Sequence, residues 1–110
     1  MEIHIKNFPQ AEVFSLQRQI ACQTGQVVSK TLVQNPHVSI TLFAFDKGEE
    51  ISAHTSRGDA LVQCLEGTGR ITLDEKDYTI QTGEGILMPA GHPHAVYGVE
   101  SFKMLLTVVF

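Results

Sequence analysis

From Val27 to Val109 the sequence breaks into eight short apolar or β-branched runs, the first seven each ended within a few residues by Gly, Asp, Asn or Pro. The runs are Val27 to Val33, Val38 to Phe45, Ala60 to Leu65, Arg70 to Leu73, Asp77 to Ile80, Ile86 to Met88, His94 to Tyr97 and Phe102 to Val109. Strands of this length at such close spacing predict an all-β chain folded as an antiparallel sandwich or barrel. Closing a barrel also removes the sheet edges that a small β domain otherwise exposes. Eight of the nine glycines lie between Gly48 and Gly98, so the second half reads as a tightly turned meander. One helix is expected near the start: Ser15 caps a segment through Ala21, with Leu16 and Ile20 on one face and Gly25 beyond its end.

The 110 residues fit one domain, 1–110, with residues 1–37 flanking a core barrel of residues 38–110. With 43% hydrophobic and 18% charged residues the chain has material for a core. Eight Lys and Arg against twelve Asp and Glu give a net charge of −4, and no basic cluster occurs. A nucleic-acid partner is therefore not expected. The first residues, MEIHIKNFPQ, lack the basic start and apolar run of an export signal, and no apolar stretch is long enough to span a bilayer. The expected location is the cytoplasm, with no membrane partner and with Cys22 and Cys64 reduced. Cys64, inside an apolar run, reads as a small core residue.

Five histidines are present. His4, near one end, and His37, in the Asn35-Pro36 turn, read as solvated surface residues. His54 stands just ahead of a strand, and His92 and His94 flank Pro93. Two histidines at i and i+2 of an extended chain point to one side, an arrangement that suits a shared ligand or metal.

The spacing around these histidines resembles a known family. Gly48-x5-His54-x-Ser56-x3-Ala60-x6-Gly67 is similar to the first cupin motif, Gly-x5-His-x-His-x3–4-Glu-x6-Gly. Gly83-x5-Pro89-x-Gly91-x2-His94-x3-Gly98 is similar to the second, Gly-x5-Pro-x-Gly-x2-His-x3-Asn. The motifs occupy residues 48–67 and 83–98, about half of the chain. The resemblance implies a small double-stranded β-helix, or jelly-roll barrel, with its site in one mouth. It also implies a divalent transition metal (Zn, Fe, Ni, Mn or Cu) held by three His and one Glu.

Here only His54 and His94 occupy those four positions. Ser56 replaces a His, Ala60 replaces the Glu, and Gly98 stands at the Asn position. Two readings follow. In one, His92 turns inward and completes a three-His metal centre with His54 and His94, for a dioxygenase, isomerase, decarboxylase or cyclase. In the other, His54 and His94 line a polar pocket for a small molecule, either without metal or with a weak metal site whose vacant positions water fills, and no catalytic residue is assigned. Asp59 would serve as a ligand only if a bulge shifted its strand. The expected pocket comprises His54, Ser56, Ala60, Val62, Cys64, Met88, His92 and His94, with Phe43, Phe45 or Tyr97 closing it. The run Met104 to Phe110 is nearly continuously apolar, so both its faces need cover, and the resemblance implies that this comes from a C2 homodimer formed by pairing sheets.

Overall fold

The computed structural model describes residues 3–110. Among the described residues nine strands form: β1 (Val27–Gln34), β2 (Val38–Phe45), β3 (Glu50–His54), β4 (Asp59–Glu66), β5 (Thr68–Leu73), β6 (Lys76–Gln81), β7 (Gly85–Met88), β8 (His94–Gly98) and β9 (Phe102–Val109). They make a five-stranded sheet, in the order β1-β2-β9-β4-β7, and a four-stranded sheet, in the order β3-β8-β5-β6. Every pairing is antiparallel. The two sheets face each other as a jelly-roll barrel.

Eight of the strands coincide with the expected runs to within about two residues at each end. β3 is the addition. Four of its five residues are exposed, and it lies at a sheet edge, so its sequence carries no burial pattern.

The interior is closed by the alternation of each strand. Val62, Ile71, Phe45 and Phe102 are fully buried, joined by Ala60, Cys64, Ile80, Met88, Val96, Met104 and Val108. Burying one such side chain contributes about 1.5–3 kcal/mol. Phe102 rests against Phe45 with ring centroids 5.5 Å apart. Its ring also lies on the backbone at Gly69, where an added Cβ would sit 2.5 Å from it. Only glycine leaves room there.

The second half of β2 is apolar on both sides because it faces two cores. Phe43 and Phe45 turn into the barrel, while Leu42 and Ala44 turn outward into a second cluster with Ile20 and Leu32. Phe8, Leu16 and Cys22 of the N-terminal segment close this cluster, together with Leu65 and Leu105. The expected helix is shorter than the sequence implies. Leu16–Gln19 form one 3-10 turn, Ser15 makes no side-chain cap, and Ile20 is already extended. Four residues without a capping bond or an acidic first turn cannot sustain an α-helix. Leu16 and Ile20 still meet the same cluster. Two lysines fasten this turn to the sheet, Lys30 Nζ donating to the Gln19 carbonyl at 3.2 Å and Lys103 Nζ to the Gln17 carbonyl at 2.8 Å.

The C-terminal run is thus partly covered by its own chain. Met104, Leu106 and Val108 face the barrel and Leu105 lies under the N-terminal segment. Further along the same outer face, the cross-strand partners Leu61 and Leu87 are 40% and 54% exposed, and Val109 is 58% exposed. Both cysteines are free, Cys64 buried and Cys22 half-buried. Burial pushes both thiols up, away from the nucleophilic thiolate.

Candidate functional site

His94 opens β8 on the same side as Val96, facing the barrel, and is 4% exposed. His54 ends β3 as its cross-strand partner. Strict alternation from the inward Ile51 would turn residue 53 inward and His54 outward. A β-bulge between Ile51 and His54 adds one residue and restores His54 to the inner face. The two rings meet edge-to-face with centroids 4.4 Å apart.

Backbone carbonyls set both tautomers. His54 Nδ1 lies 2.9 Å from the Ser52 carbonyl across the bulge, and His94 Nδ1 lies 3.0 Å from the His92 carbonyl. A carbonyl only accepts, so each neutral ring carries its proton on Nδ1. Among the described residues no side chain or backbone group bonds either Nε2. The mouth therefore holds two imidazole lone pairs. Burial lowers the pKa of His94, the His54 ring lowers it further, and the bond to His92 opposes them. His94 is thus held neutral around pH 7.

His92, by contrast, is exposed, and its Nδ1 is bonded to the Asp74 carboxylate. Ser56 lies in the β3–β4 loop, where its Oγ accepts from Gly58 N–H at 3.2 Å. Ala60, Val62, Cys64 and Met88 face inward and are buried, with Ala60 and Met88 cross-strand partners at 1% exposure each. Phe43 is half-buried against the core and Phe45 fully buried. Tyr97 points away from the barrel, under the Arg70 guanidinium, 4.5 Å from its ring centroid.

A wall that the sequence did not single out lies on the inner face of the first sheet. Ser39 and Thr41 alternate with Leu42 and Ala44, and so share the face of Phe43 and Phe45. Their partners on β9 are the inward Val108 and Leu106. Thr31 pairs with Thr41, and Ser29 with Phe43. Ser29 is exposed and Thr31, Ser39 and Thr41 are half-buried although they face inward, so the barrel is open along this wall. Alternate Ser and Thr in Val38 to Phe45 was the available signal, but only the register assigns them to a face. A separate recess of about 490 Å³, lined by Ala53, Thr72, Asp74, Glu75, Pro93, His94 and Ala95, opens by the β5–β6 turn. Thr72 and Ala95 alternate with the buried Ile71 and Val96, which puts this recess on the outside of the second sheet.

Residues 41–110 match the family model for the cupin domain. The chain is a cupin. It is similar to the crystal structure of a conserved protein of unknown function from Streptococcus pyogenes, at 46% identity and a TM-score of 0.94, over 96% of this chain and 93% of that one. A cupin superfamily protein from Desulfitobacterium hafniense is 34% identical, with a TM-score of 0.93, over 97% of this cupin and 98% of the other chain. A cupin 2 conserved barrel domain protein from Leptotrichia buccalis is 42% identical with a TM-score of 0.86, over 88% of this chain and 47% of that one. No curated protein matches.

Members of this family often bind metals, and the donor set here can be tested for that. Ala60 offers no donor atom, and the Ser56 hydroxyl is a poor ligand already engaged with Gly58. Among the described residues no three His, Cys, Asp or Glu side chains converge as a metal set. Two imidazoles do not fit a closed four-ligand centre.

Proposed function

We propose that this chain, as one cupin domain over residues 1–110, binds a small molecule in the barrel mouth between the His54/His94 pair and the hydroxyls of Thr31, Ser39 and Thr41. The observation that carries the reading is the pair itself: two imidazoles in contact, both Nδ1 atoms tied to carbonyls. Such a pair accepts two hydrogen bonds from a ligand, while the hydroxyl wall donates or accepts as the ligand requires. Phe43 and Leu106 supply apolar contact beside it. A few convergent polar groups against apolar neighbours is the usual make-up of a small-molecule site.

Metal content by mass spectrometry of the untagged protein, compared with a His54→Ala/His94→Ala variant, tests this reading. The expected result is no stoichiometric metal in either. A ligand screen followed by thermal shift then finds compounds that stabilise the wild type and not the variant. Near-stoichiometric Zn, Fe, Ni, Mn or Cu that vanishes in the variant would overturn it in favour of a metal-dependent enzyme centred on His54 and His94.

The exposed Leu61, Leu87 and Val109 support a homodimer through the outer face of the first sheet. Light scattering giving only the monomer mass at micromolar concentration would refute it. The two free thiols fit a reducing compartment such as the cytoplasm. No helix among the described residues is long and apolar enough to cross a membrane.

A further inference from the structure

The loop between β7 and β8, residues 89–93, carries the carbonyl that fixes His94, and its one internal bond is His92 N–H to the Pro89 carbonyl at 3.3 Å. Its position comes from tethers at both ends. Gly91 N–H donates to the Ser56 carbonyl at 2.9 Å and Ala90 N–H to Asp59 Oδ1 at 2.9 Å, holding the loop to the β3–β4 side. On the other side stands Asp74, in the two-residue turn that joins β5 and β6. Its own N–H donates to the Pro93 carbonyl at 3.1 Å, and its carboxylate accepts from His92 Nδ1.

Asp74 and Glu75 both have positive φ, 49° and 68°. That is the backbone of a tight hairpin turn, and Asp tolerates it better than most residues. Because Leu73 pairs with His94 across β5 and β8, the turn is delivered to the loop by the sheet register. Among the described residues Asp74 is the one side chain bonded to the His92 ring, and the His92 carbonyl receives the His94 Nδ1 proton.

We propose that Asp74 is a positioning residue for the two-imidazole site: it orients His92, whose carbonyl holds the proton of His94 on Nδ1 and leaves Nε2 as a lone pair in the mouth. The proposal rests on the reading of His54 and His94 as the site. The chain of contacts runs from a carboxylate on the outer rim, through an exposed imidazole and one peptide carbonyl, to a buried ring. Pro93 assists by restricting His92 to extended backbone, so the carbonyl has few alternative directions while the tether is in place. Without the carboxylate only backbone bonds remain on either side, His92 N–H to the Pro89 carbonyl at 3.3 Å and Asp74 N–H to the Pro93 carbonyl at 3.1 Å, and the His92 carbonyl between them can tilt away from His94. His94 then loses its acceptor and reverts toward the Nε2–H form that a free histidine side chain prefers.

Long-range proton–nitrogen correlation of histidine-labelled full-length protein at pH 8 reads the tautomer directly and needs no ligand. In the wild type, His94 Nδ1 should resonate as a protonated, pyrrole-type nitrogen. In Asp74→Ala that resonance should move toward the pyridine type as the Nε2–H form becomes the major species. Asp74→Asn keeps both an oxygen acceptor for His92 Nδ1–H and a residue suited to the positive φ of the turn, and should restore the wild-type pattern. His92→Ala, a change at an exposed side chain, leaves the β5–β6 turn intact and should reproduce Asp74→Ala even if that variant folds poorly. An unchanged His94 tautomer in both Asp74→Ala and His92→Ala would overturn the proposal, as would an Asn variant indistinguishable from the Ala one. A wild type already in the Nε2–H form would instead refute the description of the imidazole pair beneath it.

Discussion

Replacing Gly69 by alanine places a new methyl carbon 2.5 to 2.7 Å from three atoms of the Phe102 ring. Carbon atoms in ordinary contact sit about 3.5–4.0 Å apart, so ring and strand must separate by about 1 Å. Neither has room to move. Phe102 is fully buried and backed by Phe45, while Gly69 is paired on both sides, to Ile80 and to Gly98. Overpacking of this kind costs about 1–3 kcal/mol, and a rigid site belongs at the upper end. Removing a glycine from the unfolded chain returns about 0.4–1 kcal/mol, which leaves a net loss of roughly 1.5–2.5 kcal/mol. For a domain of this size each kcal/mol lowers Tm by about 4 °C, so Gly69→Ala should melt some 6–10 °C below wild type. The mechanism is tested by a cycle with Phe102→Leu, which shortens the group the methyl strikes. In the Phe102→Leu background the alanine should cost at least ~1 kcal/mol less than in wild type. Urea denaturation of the four proteins measures both quantities. A cost below ~0.5 kcal/mol, or an additive cycle, would refute the argument from the Gly69–Phe102 contact.

The pKa of His94 is lowered in the folded chain, mainly by burial. Below the ordinary histidine value of about 6.5 the unfolded chain takes up a proton that the folded chain refuses, so stability falls with pH until the lowered value is passed. Urea midpoints at pH 7.5 and 5.5 should therefore differ more for wild type than for His94→Asn, and equal differences would refute the assignment. Cys64 is 3% exposed with its thiol directed at the Glu66 and Gly67 carbonyls, so a thiol reagent should modify it only on unfolding, at a rate set by denaturant. Rapid labelling of Cys64 in native buffer, read by peptide mass, would contradict this burial. Lys103→Met removes the bond to the Gln17 carbonyl and the 3.3 Å pair with Glu66, whose half-exposed carboxylate adds little. The expected loss is about 1–2 kcal/mol, with faster proteolytic nicking before Ile20. Unchanged proteolysis would show that Lys30 alone holds the 3-10 turn.

Most of the barrel is legible in the sequence because its strands bury one face and so announce themselves in composition. β2 and β9 are legible to the residue, each being rich in apolar and β-branched side chains that face a core on at least one side. β3 is not, since Glu50, Ser52, Ala53 and His54 are all exposed and the strand is paired along one edge only. The N-terminal segment misleads for a related reason. Leu16 and Ile20 at i and i+4 imitate a helix face, yet they reach the outer cluster from one short turn and an extended residue. Spacing records that two side chains meet the same surface, and more than one backbone path satisfies it.

The site divides in the same way. His54 and His94 are legible as a pair because their spacing from glycines and Pro89 is local in each motif. The bulge that aims His54 and the carboxylate that holds His92 are not, because both depend on strand pairing: Ile51 with Val96, and Leu73 with His94. Pairing also gives the substitution of Ala60 its meaning. Where a metal-binding cupin would carry a carboxylate, this chain places a methyl group beside Met88, both about 1% exposed. A carboxylate introduced there would have to be dehydrated before any ion compensated it, at a cost of several kcal/mol. What stands at the mouth instead is a pair of imidazoles, each with Nδ1 on a backbone carbonyl, and a row of hydroxyls on the facing sheet. Such groups exchange hydrogen bonds where a carboxylate and four ligands would hold an ion, which is why the proposed occupant is a small molecule.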